Sequence, residues 1–282
     1  MGIVSSLKRI LYNPGKESET MINDVIGIVR EAAQHMASVD KIEIAQKGGY
    51  ANIVTTSDLA VQDFLRSRLA TLLPDCGFIC EEGDVADISH RDVWIVDPID
   101  GTANYARGVD QCAICVGLCH DGEMQMGVVY IPRTDEMFYA EKGKGAWRNG
   151  KQIHVADRAF ENGIMCTAFP VYYKEQSAWC ARAIHEVFMQ CNDIRRLGAA
   201  APELCYIAMG RFDMYFEYRL GAWDFAAASI IVSEAGGFLS DINGNSLNPM
   251  NASGVLVANS NDNLNRLVAI IKSHNPDAEN CL

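Results

Sequence analysis

The sequence WIVDPIDGT at residues 94–102 is the most informative stretch of this chain, because an apolar strand runs directly into two carboxylates. Burying a carboxylate is costly unless it is solvated, paired or bound to a metal ion. Pro98 stiffens the turn and Gly101 permits a backbone conformation that other residues resist, so Asp97 and Asp100 can share one ion. With oxygen ligands only, the expected ion is Mg²⁺.

Two further acidic motifs lie at the ends of predicted apolar segments. The predicted strand 78–80 leads into Glu81 and Glu82, and Trp223-Asp224 stands at the start of a predicted helix. Alone, a glutamate pair is usually solvated surface, and an aspartate at a helix start usually interacts with the positive end of that helix. Their occurrence together with residues 97–100 favours one shared site over three unrelated surface features.

Other metal-binding and nucleophile patterns are weaker in this sequence. The six histidines form neither an HxH nor an HExxH motif, so a histidine-based zinc site is not expected. Cys112, Cys115 and Cys119 have metal-like spacing, but a strand would place Cys112 on the opposite face from the other two. No Ser-His-Asp or cysteine-based nucleophile arrangement stands out. Converging carboxylates therefore remain the favoured chemistry.

The first half of the chain predicts helices packed on an antiparallel sheet. Apolar residues recur at helical spacing over 21–37, and a second helix begins near Ser57 and ends at Pro74. Asp-Gly at 121–122 and Asn-Gly at 149–150 are strong hairpin signals, so the following strands should pair in sequential order. These strands are predicted at 112–119, 126–131, 136–140, 145–148 and 152–155.

After residue 160, predicted strands and helices alternate, which indicates a mostly parallel sheet covered by helices. No linker rich in Pro, Gly or Ser separates the two halves, so we expect two lobes of one unit. The predicted division is an N-terminal extension at 1–19, an α+β lobe at 20–158 and an α/β lobe at 159–282.

Composition and charge argue against several classes of protein. The 282 residues carry a formal net charge of −12, so no nucleic-acid partner is expected. No run approaches the roughly 18 apolar residues of a membrane span, and the N-terminus matches only a loose Gly2…Ser6 myristoylation pattern. Ten cysteines without a signal peptide indicate reduced thiols and a cytoplasmic location.

The acidic motifs occur in an order that resembles the inositol monophosphatase family, a group of Mg²⁺-dependent, lithium-sensitive phosphomonoesterases. The resemblance covers roughly residues 20–272 and rests on Asp58, Glu81-Glu82, DPIDGT at 97–102, Trp223-Asp224 and, eleven residues later, Gly236-Gly237. It implies an α/β protein built as a five-layer αβαβα sandwich, a homodimer, and a small-molecule phosphate ester as the binding partner.

The resemblance also implies roles for individual residues. Two or three Mg²⁺ ions would be held by oxygen atoms of Glu81, Asp97, Ile99 (through its carbonyl), Asp100 and Asp224. Asp97 would contact both principal ions, and a third, weaker ion would lie near Glu81. Thr102, paired with Asp58, would orient a water molecule and help to deprotonate it, so these two residues and Glu81 are the expected catalytic group. Backbone N–H groups of Gly101 and Thr102 would bind phosphate oxygens.

Substrate contacts are implied for Asp100, Gly198, Ala199, Ala200, Glu217 and Arg219. Glu217 could accept hydrogen bonds from ring hydroxyls. The chain departs from the family pattern at Arg219, where many relatives have a small residue, at Arg107, which replaces a common histidine, and before Trp223, where a proline is often found. An extra arginine could pair with a second phosphate or carboxylate, or form a surface ion pair only.

Together these inferences predict a Mg²⁺-dependent phosphatase acting on a small phosphorylated polyol, with inositol monophosphate as the leading substrate and metal-activated water attacking directly. A fructose-1,6-bisphosphatase or a 3′(2′),5′-bisphosphate nucleotidase stays open. A glycosidase would need one carboxyl group with a raised pKa, whereas four converging carboxylates favour a metal. A regulatory binding protein that retains the fold is the non-enzymatic alternative.

Overall fold

The computed structural model describes residues 18–37, 44–46, 53–83 and 88–276, so the myristoylation pattern at Gly2 lies outside the described residues. Within them the chain forms seven α-helices: α1 Ser18–Ala37, α2 Thr56–Leu72, α3 Thr102–Ala106, α4 Ser177–Phe188, α5 Ala200–Ala208, α6 Ala222–Glu234 and α7 Asn261–His274. None of the helices is both long enough and apolar enough to cross a membrane.

The same residues form fourteen strands, of which β1 and β2 make a separate two-stranded ribbon. The strands are β1 Ile44–Gln46, β2 Ile53–Thr55, β3 Gly77–Cys80, β4 Asp92–Asp100, β5 Ala113–His120, β6 Glu123–Ile131, β7 Glu136–Glu141, β8 Ala146–Arg148, β9 Lys151–Ile153, β10 Ile164–Thr167, β11 Asp193–Arg195, β12 Met214–Leu220, β13 Phe238–Ser240 and β14 Ser253–Ala258.

These elements stack as the expected five-layer αβαβα sandwich. Helices α1 and α2 cover one face of the sheet formed by β3 to β9. Helices α5 and α6 lie between that sheet and the sheet formed by β10 to β14. Helices α4 and α7 cover the outer face of the second sheet. Each interface is an apolar cluster, so burial of apolar surface between layers stabilises the whole stack.

The first sheet is antiparallel from β4 to β9, as the hairpin signals predicted, and only β3 pairs in parallel with β4. Both β3 and β4 therefore end at the same edge of the sheet. Their carboxyl ends carry Glu81 and Asp97–Asp100, which places the acidic motifs of the sequence side by side.

The second sheet is mixed, which corrects the expectation of a mostly parallel sheet. Its strand order is β11-β10-β12-β14-β13, with β10 parallel to β11 and to β12. Strand β14 is antiparallel to both β12 and β13. The reason lies in the connection between β13 and β14, which contains no helix and so cannot return the chain for a parallel pairing.

Helix α6 is buried on nearly all sides because a sheet lies on each side of it. Its sequence AWDFAAASIIVSE is small or apolar around the circumference, as such a position requires. The approach to β6 is close, because a Cβ atom on Gly127 would clash with the Ala227 carbonyl oxygen. This packing fixes the start of α6, and therefore Asp224, beside the ends of β3 and β4.

Candidate active site

A single cavity, formed where β3 and β4 end and α5 and α6 begin, collects most of the predicted site residues. Glu81, Asp97, Ile99, Asp100 and Asp224 line its floor together with Gly101 and Thr102. The side wall contains the remaining predicted substrate contacts, which are Gly198, Ala199, Ala200, Glu217 and Arg219. Asp58 does not line the cavity but lies behind Thr102, and Arg107 lies outside it.

The turn after β4 is shaped by local contacts. The Asp97 carboxylate accepts a hydrogen bond from the backbone N–H of Ile99 at 2.9 Å. The pairing of β4 with β5 is irregular between Asp97 and Asp100, which lets the strand bend there. Gly101 adopts a φ of 83°, and a Cβ atom there would lie only 2.9 Å from the Cβ of Ala199. Glycine is therefore needed at this position for both backbone and packing reasons.

The carboxylates form two groups, in each of which oxygen atoms lie within 4.8 Å of one another. One group consists of Asp97, Asp100 and Asp224. The other consists of Asp58, Glu81 and Glu82, so the structure adds Glu82, to which the sequence assigned no role. Such spacing allows neighbouring carboxylates to share a cation.

The electrostatics of the first group are unfavourable without a cation. Burial, followed by the nearby charges of other carboxylates, raises the pKa of Asp97 and of Asp224 well above the ordinary value. Burial also raises the pKa of Asp100 to about 7, although backbone N–H groups of Ala201, Ala200 and Gly101 act against it. Within the described residues, no lysine or arginine forms an ion pair with these three aspartates.

One oxygen atom of this group fits the role of a metal ligand. Asp97 Oδ2 is buried and has no hydrogen-bond partner. Buried polar atoms are almost always satisfied, so an unpartnered carboxylate oxygen beside two other carboxylates fits a position for a cation. Hard oxygen donors of this kind suit Mg²⁺, so the residues present fit the ion that the sequence suggested.

Thr102 and Asp58 are in contact, as the resemblance implied. The Thr102 hydroxyl lies 3.1 Å from Asp58 Oδ1 and 3.1 Å from the Ile99 carbonyl oxygen. Asp58 is buried in the first turn of α2, where its other oxygen accepts the backbone N–H of Thr55 at 2.8 Å. The carboxylate is therefore held in place behind the hydroxyl, which in turn lies at the cavity surface.

Two of the predicted substrate contacts also form hydrogen bonds within the protein. The backbone N–H groups of Ala200 and Ala201 donate to Asp100, at 3.3 and 2.7 Å, so Ala200 positions a carboxylate of the floor. Glu217 accepts a hydrogen bond from the Tyr215 hydroxyl, and burial raises the pKa of Glu217 to about 7. Arg107 is exposed and donates to the Ala103 carbonyl at 3.1 Å, away from the pocket.

Two residues that position the wall of the cavity were not predicted from the sequence. Glu203, in α5, accepts the backbone N–H groups of Leu197 and Gly198, and burial raises the pKa of Glu203 to about 8. Asn104 donates to the carbonyls of Gln111 and Leu197, at 2.7 and 2.8 Å. A lone carboxylate inside the apolar run AAPELCYIA was a usable signal for Glu203, whereas nothing in the sequence marks Asn104.

Comparisons with known proteins agree with this arrangement. The profile of the Inositol monophosphatase family matches residues 17–275. The Vibrio cholerae Nus factor SuhB is 35% identical over 79% of this chain and 86% of its own length. The inositol-1-monophosphatase of Rhizobium meliloti is 34% identical, with coverages of 85% and 90%. The solved Thermotoga maritima IMPase has a TM-score of 0.79 at 29% identity, covering 90% of this chain and 98% of that one. The chain therefore belongs to the inositol monophosphatase family.

Proposed function

We propose that this protein is a Mg²⁺-dependent phosphomonoesterase that hydrolyses a small phosphorylated polyol, with inositol monophosphate as the reference substrate. The observation that supports it is the group of three aspartates at the cavity floor, whose charges have no cationic partner in the described part of the chain. A binding site for a cation at the bottom of a pocket suits an anionic substrate, since phosphoryl transfer depends mainly on positioning and charge neutralisation.

The proposed metal ligands are Glu81, Asp97, the Ile99 carbonyl, Asp100 and Asp224. When bound there, Mg²⁺ ions neutralise the charge of the phosphate and favour deprotonation of an attacking water. Asp224 comes from the lobe we propose at 159–282, whereas the other ligands come from 20–158. Neither lobe has the complete set, so the site depends on α6 packing against the first sheet.

The chain's own residues would position the reactants. Thr102 donates to Asp58, so its oxygen can accept a hydrogen bond from the attacking water and its proton can move towards the buried carboxylate. Backbone N–H groups of Gly101 and Thr102 would bind phosphate oxygens. Glu217, fixed by the Tyr215 hydroxyl, would accept hydrogen bonds from the polyol.

Direct attack by water is favoured over a phosphorylated enzyme intermediate. The lining of the cavity contains no serine, cysteine or histidine side chain among the described residues, Thr102 is paired with Asp58, and Asp97, Asp100 and Asp224 are assigned to the cation. A displacement by water inverts the configuration at phosphorus once, whereas a covalent intermediate would restore it. Hydrolysis of a substrate with a chiral phosphate group should therefore proceed with inversion, and retention would contradict the proposal.

A screen for phosphate release tests the proposed activity. The purified chain should release phosphate from inositol 1-phosphate, fructose 1,6-bisphosphate, histidinol phosphate or adenosine 3′,5′-bisphosphate with Mg²⁺, and release should stop when EDTA is added. The ester from which phosphate is released fastest indicates which of the candidate substrate classes the protein prefers. Failure to hydrolyse any of these esters at several Mg²⁺ concentrations would contradict the phosphatase assignment.

A non-catalytic role is the second candidate, because the Vibrio cholerae relative carries the name Nus factor. Under that hypothesis the carboxylate site would serve binding or stability only. An Asp224→Asn variant distinguishes the two: a phosphatase loses its activity in vitro, whereas a protein acting only through a partner retains its cellular function. Retained function in cells together with undetectable phosphatase activity in the unaltered protein would favour the non-catalytic role.

A further inference from the structure

We propose that the mouth of the cavity is a subsite for a second anionic group, so that the preferred substrate is a phosphate ester carrying a second phosphate or carboxylate. This inference rests on the proposed function, because it concerns the part of the substrate that does not react. It depends on Arg196 and Arg219, which both line the cavity and are both exposed.

Both arginines lack an anionic hydrogen-bond partner among the described residues. Arg219 contacts the ring of Tyr173, with its guanidinium carbon 5.8 Å from the ring centre. Arg196 acts on Glu217 through its charge, and this interaction lowers the pKa of Glu217 without a hydrogen bond. In contrast, nine other arginines form ion pairs with acidic side chains: Arg30, Arg68, Arg91, Arg133, Arg148, Arg158, Arg195, Arg211 and Arg266.

The position of these two arginines distinguishes them from unpaired arginines on the outer surface. Arg196 follows β11 and Arg219 lies in β12, so two separate elements bring guanidinium groups to one cavity mouth. The floor beneath them is acidic and would be neutralised by Mg²⁺, and Arg196 and Arg219 are the cationic side chains among the residues that line the cavity. Guanidinium groups bind phosphate and carboxylate oxygens in a paired geometry, so an anion is the ligand that they fit best.

Aromatic side chains hold this mouth in place. Tyr173 packs edge-on against Tyr218 at 5.8 Å, and Tyr218 packs against Trp179 at 5.7 Å. The ring under Arg219 is therefore anchored to α4 and β12, which reduces the entropy lost when the guanidinium binds an anion. Phe169 and Tyr172 are also exposed at the cavity, and their rings can cover the carbon skeleton that separates the two anionic groups.

The subsite makes a prediction about paired substrates. Inositol 1-phosphate is compared with inositol 1,4-bisphosphate, and adenosine 3′-monophosphate with adenosine 3′,5′-bisphosphate. The two members of each pair differ only in the second phosphate. We expect the ratio of kcat/KM, bisphosphate over monophosphate, to exceed about 10 in at least one pair, mainly through KM, as for a charge-assisted contact. The pair with the larger ratio identifies the skeleton as a polyol or a nucleoside.

Variants of the full chain assign this ratio to the two arginines. Arg219→Gln and Arg196→Gln should each lower the ratio about tenfold, because each removes a charge-assisted contact with the second anion. Arg182→Gln is the matched control, since Arg182 is an exposed arginine of α4 outside the cavity lining. A ratio near 1 in both pairs, or a ratio that the two variants leave unchanged, would overturn the subsite.

The outcomes separate this inference from the proposed function. If monophosphates are hydrolysed with Mg²⁺ but the ratio stays near 1, the subsite is wrong and the phosphatase assignment stands. If no ester is hydrolysed, the phosphatase assignment fails. The subsite is then decided by calorimetric Kd values for the same pairs in Mg²⁺: tighter binding of the bisphosphate that is lost in Arg219→Gln supports it, and equal binding contradicts it.

Discussion

Two buried acidic sites in this molecule differ in what surrounds their carboxylates. The Glu136 carboxylate, in β7, lies 2.8 Å from the guanidinium of Arg148 and 3.1 Å from that of Arg211. It also accepts hydrogen bonds from the hydroxyls of Thr134 and Tyr206, at 3.0 and 2.9 Å. Its charge is therefore balanced by the protein itself, and its role is to join β7 and β8 to α5.

The floor of the cavity is the opposite case. Asp97, Asp100 and Asp224 are surrounded by other acids, and within the described residues no arginine or lysine forms an ion pair with them. The fold supplies two arginines to Glu136 but leaves the charge of these three aspartates without a cationic partner among the described residues. A buried acidic cluster therefore indicates a ligand when cationic side chains are missing from it, whereas a carboxylate whose charge is balanced by arginines indicates a structural role.

The largest effect is expected for Asp224→Asn. Loss of one ligand of the proposed cation site should reduce kcat/KM by roughly 10³-fold, because metal binding stabilises the transition state by several kcal/mol. Thermal denaturation in EDTA should show a Tm equal to or above that of the unaltered protein, since one repelling buried charge is removed. A variant with full activity would remove Asp224 from the site.

Thr102→Ala should reduce kcat by about 10²-fold, which is the usual loss when a positioned proton acceptor is removed. Thr102→Ser keeps the hydroxyl that contacts Asp58 and should retain most of the activity. Steady-state kinetics at saturating Mg²⁺ measure both variants. Equal losses in the two variants would show that the methyl group, and not the hydroxyl, is what the site requires.

Glu136→Gln tests the acidic site whose charge is balanced by arginines. The substitution should lower the free energy of unfolding by about 1–3 kcal/mol, because hydrogen bonds to a charged group are lost and two arginines are left unpaired. Urea denaturation should show the same loss in Mg²⁺ and in EDTA, with kcat per folded molecule unchanged. A loss seen only with Mg²⁺ would mean that Glu136 also belongs to the cation site.

The smallest expected effect is a pH dependence of the increase in protein stability that Mg²⁺ causes. Burial raises the pKa of Asp97, Asp100 and Asp224 above the unfolded value of about 4. The folded metal-free protein therefore binds more protons than the unfolded chain, so its stability falls as pH rises from about 4 through 7. Mg²⁺ compensates the negative charge, and the Tm increase that it causes should be larger near pH 8 than near pH 6.

Asp224→Asn is the control for the pH experiment. With one carboxylate fewer, the difference between the Tm increases at the two pH values should shrink. Equal increases at both pH values in the unaltered protein would contradict the view that these aspartates carry uncompensated charge in the absence of the ion.

The sequence predicted the parts of the site that are contiguous or that follow a family motif. The turn at 97–102 and the pairing of Thr102 with Asp58 appear as expected, and the five-layer fold is confirmed. The mixed second sheet was missed, because the direction of β14 depends on a helix-free connection rather than on its own residues. Pairings of this kind are not encoded in periodicity.

Contacts across layers were also beyond the sequence. The hydrogen bond from the backbone N–H of Ala201 to Asp100 joins residues 101 positions apart. The hydrogen bond from the Asn104 side chain to the Leu197 carbonyl joins residues 93 positions apart. Arg196 was not predicted as a site residue, because the run RRLG at 195–198 contains no acidic or metal-binding motif. Only the fold brings Arg196 to the same cavity as Arg219. Such residues become recognisable only when the sheets and helices pack together.

A calorimetric titration of Mg²⁺ into the EDTA-stripped protein, compared with Asp97→Asn, tests directly whether Asp97, Asp100 and Asp224 form a cation site. We expect saturable binding of at least two ions, accompanied by release of protons that appears as a dependence of the heat on the buffer. Binding should be strongly weakened in Asp97→Asn, whose orphaned oxygen is replaced. Absence of binding to the unaltered protein, or equal binding in the variant, would show that these aspartates are not a cation site.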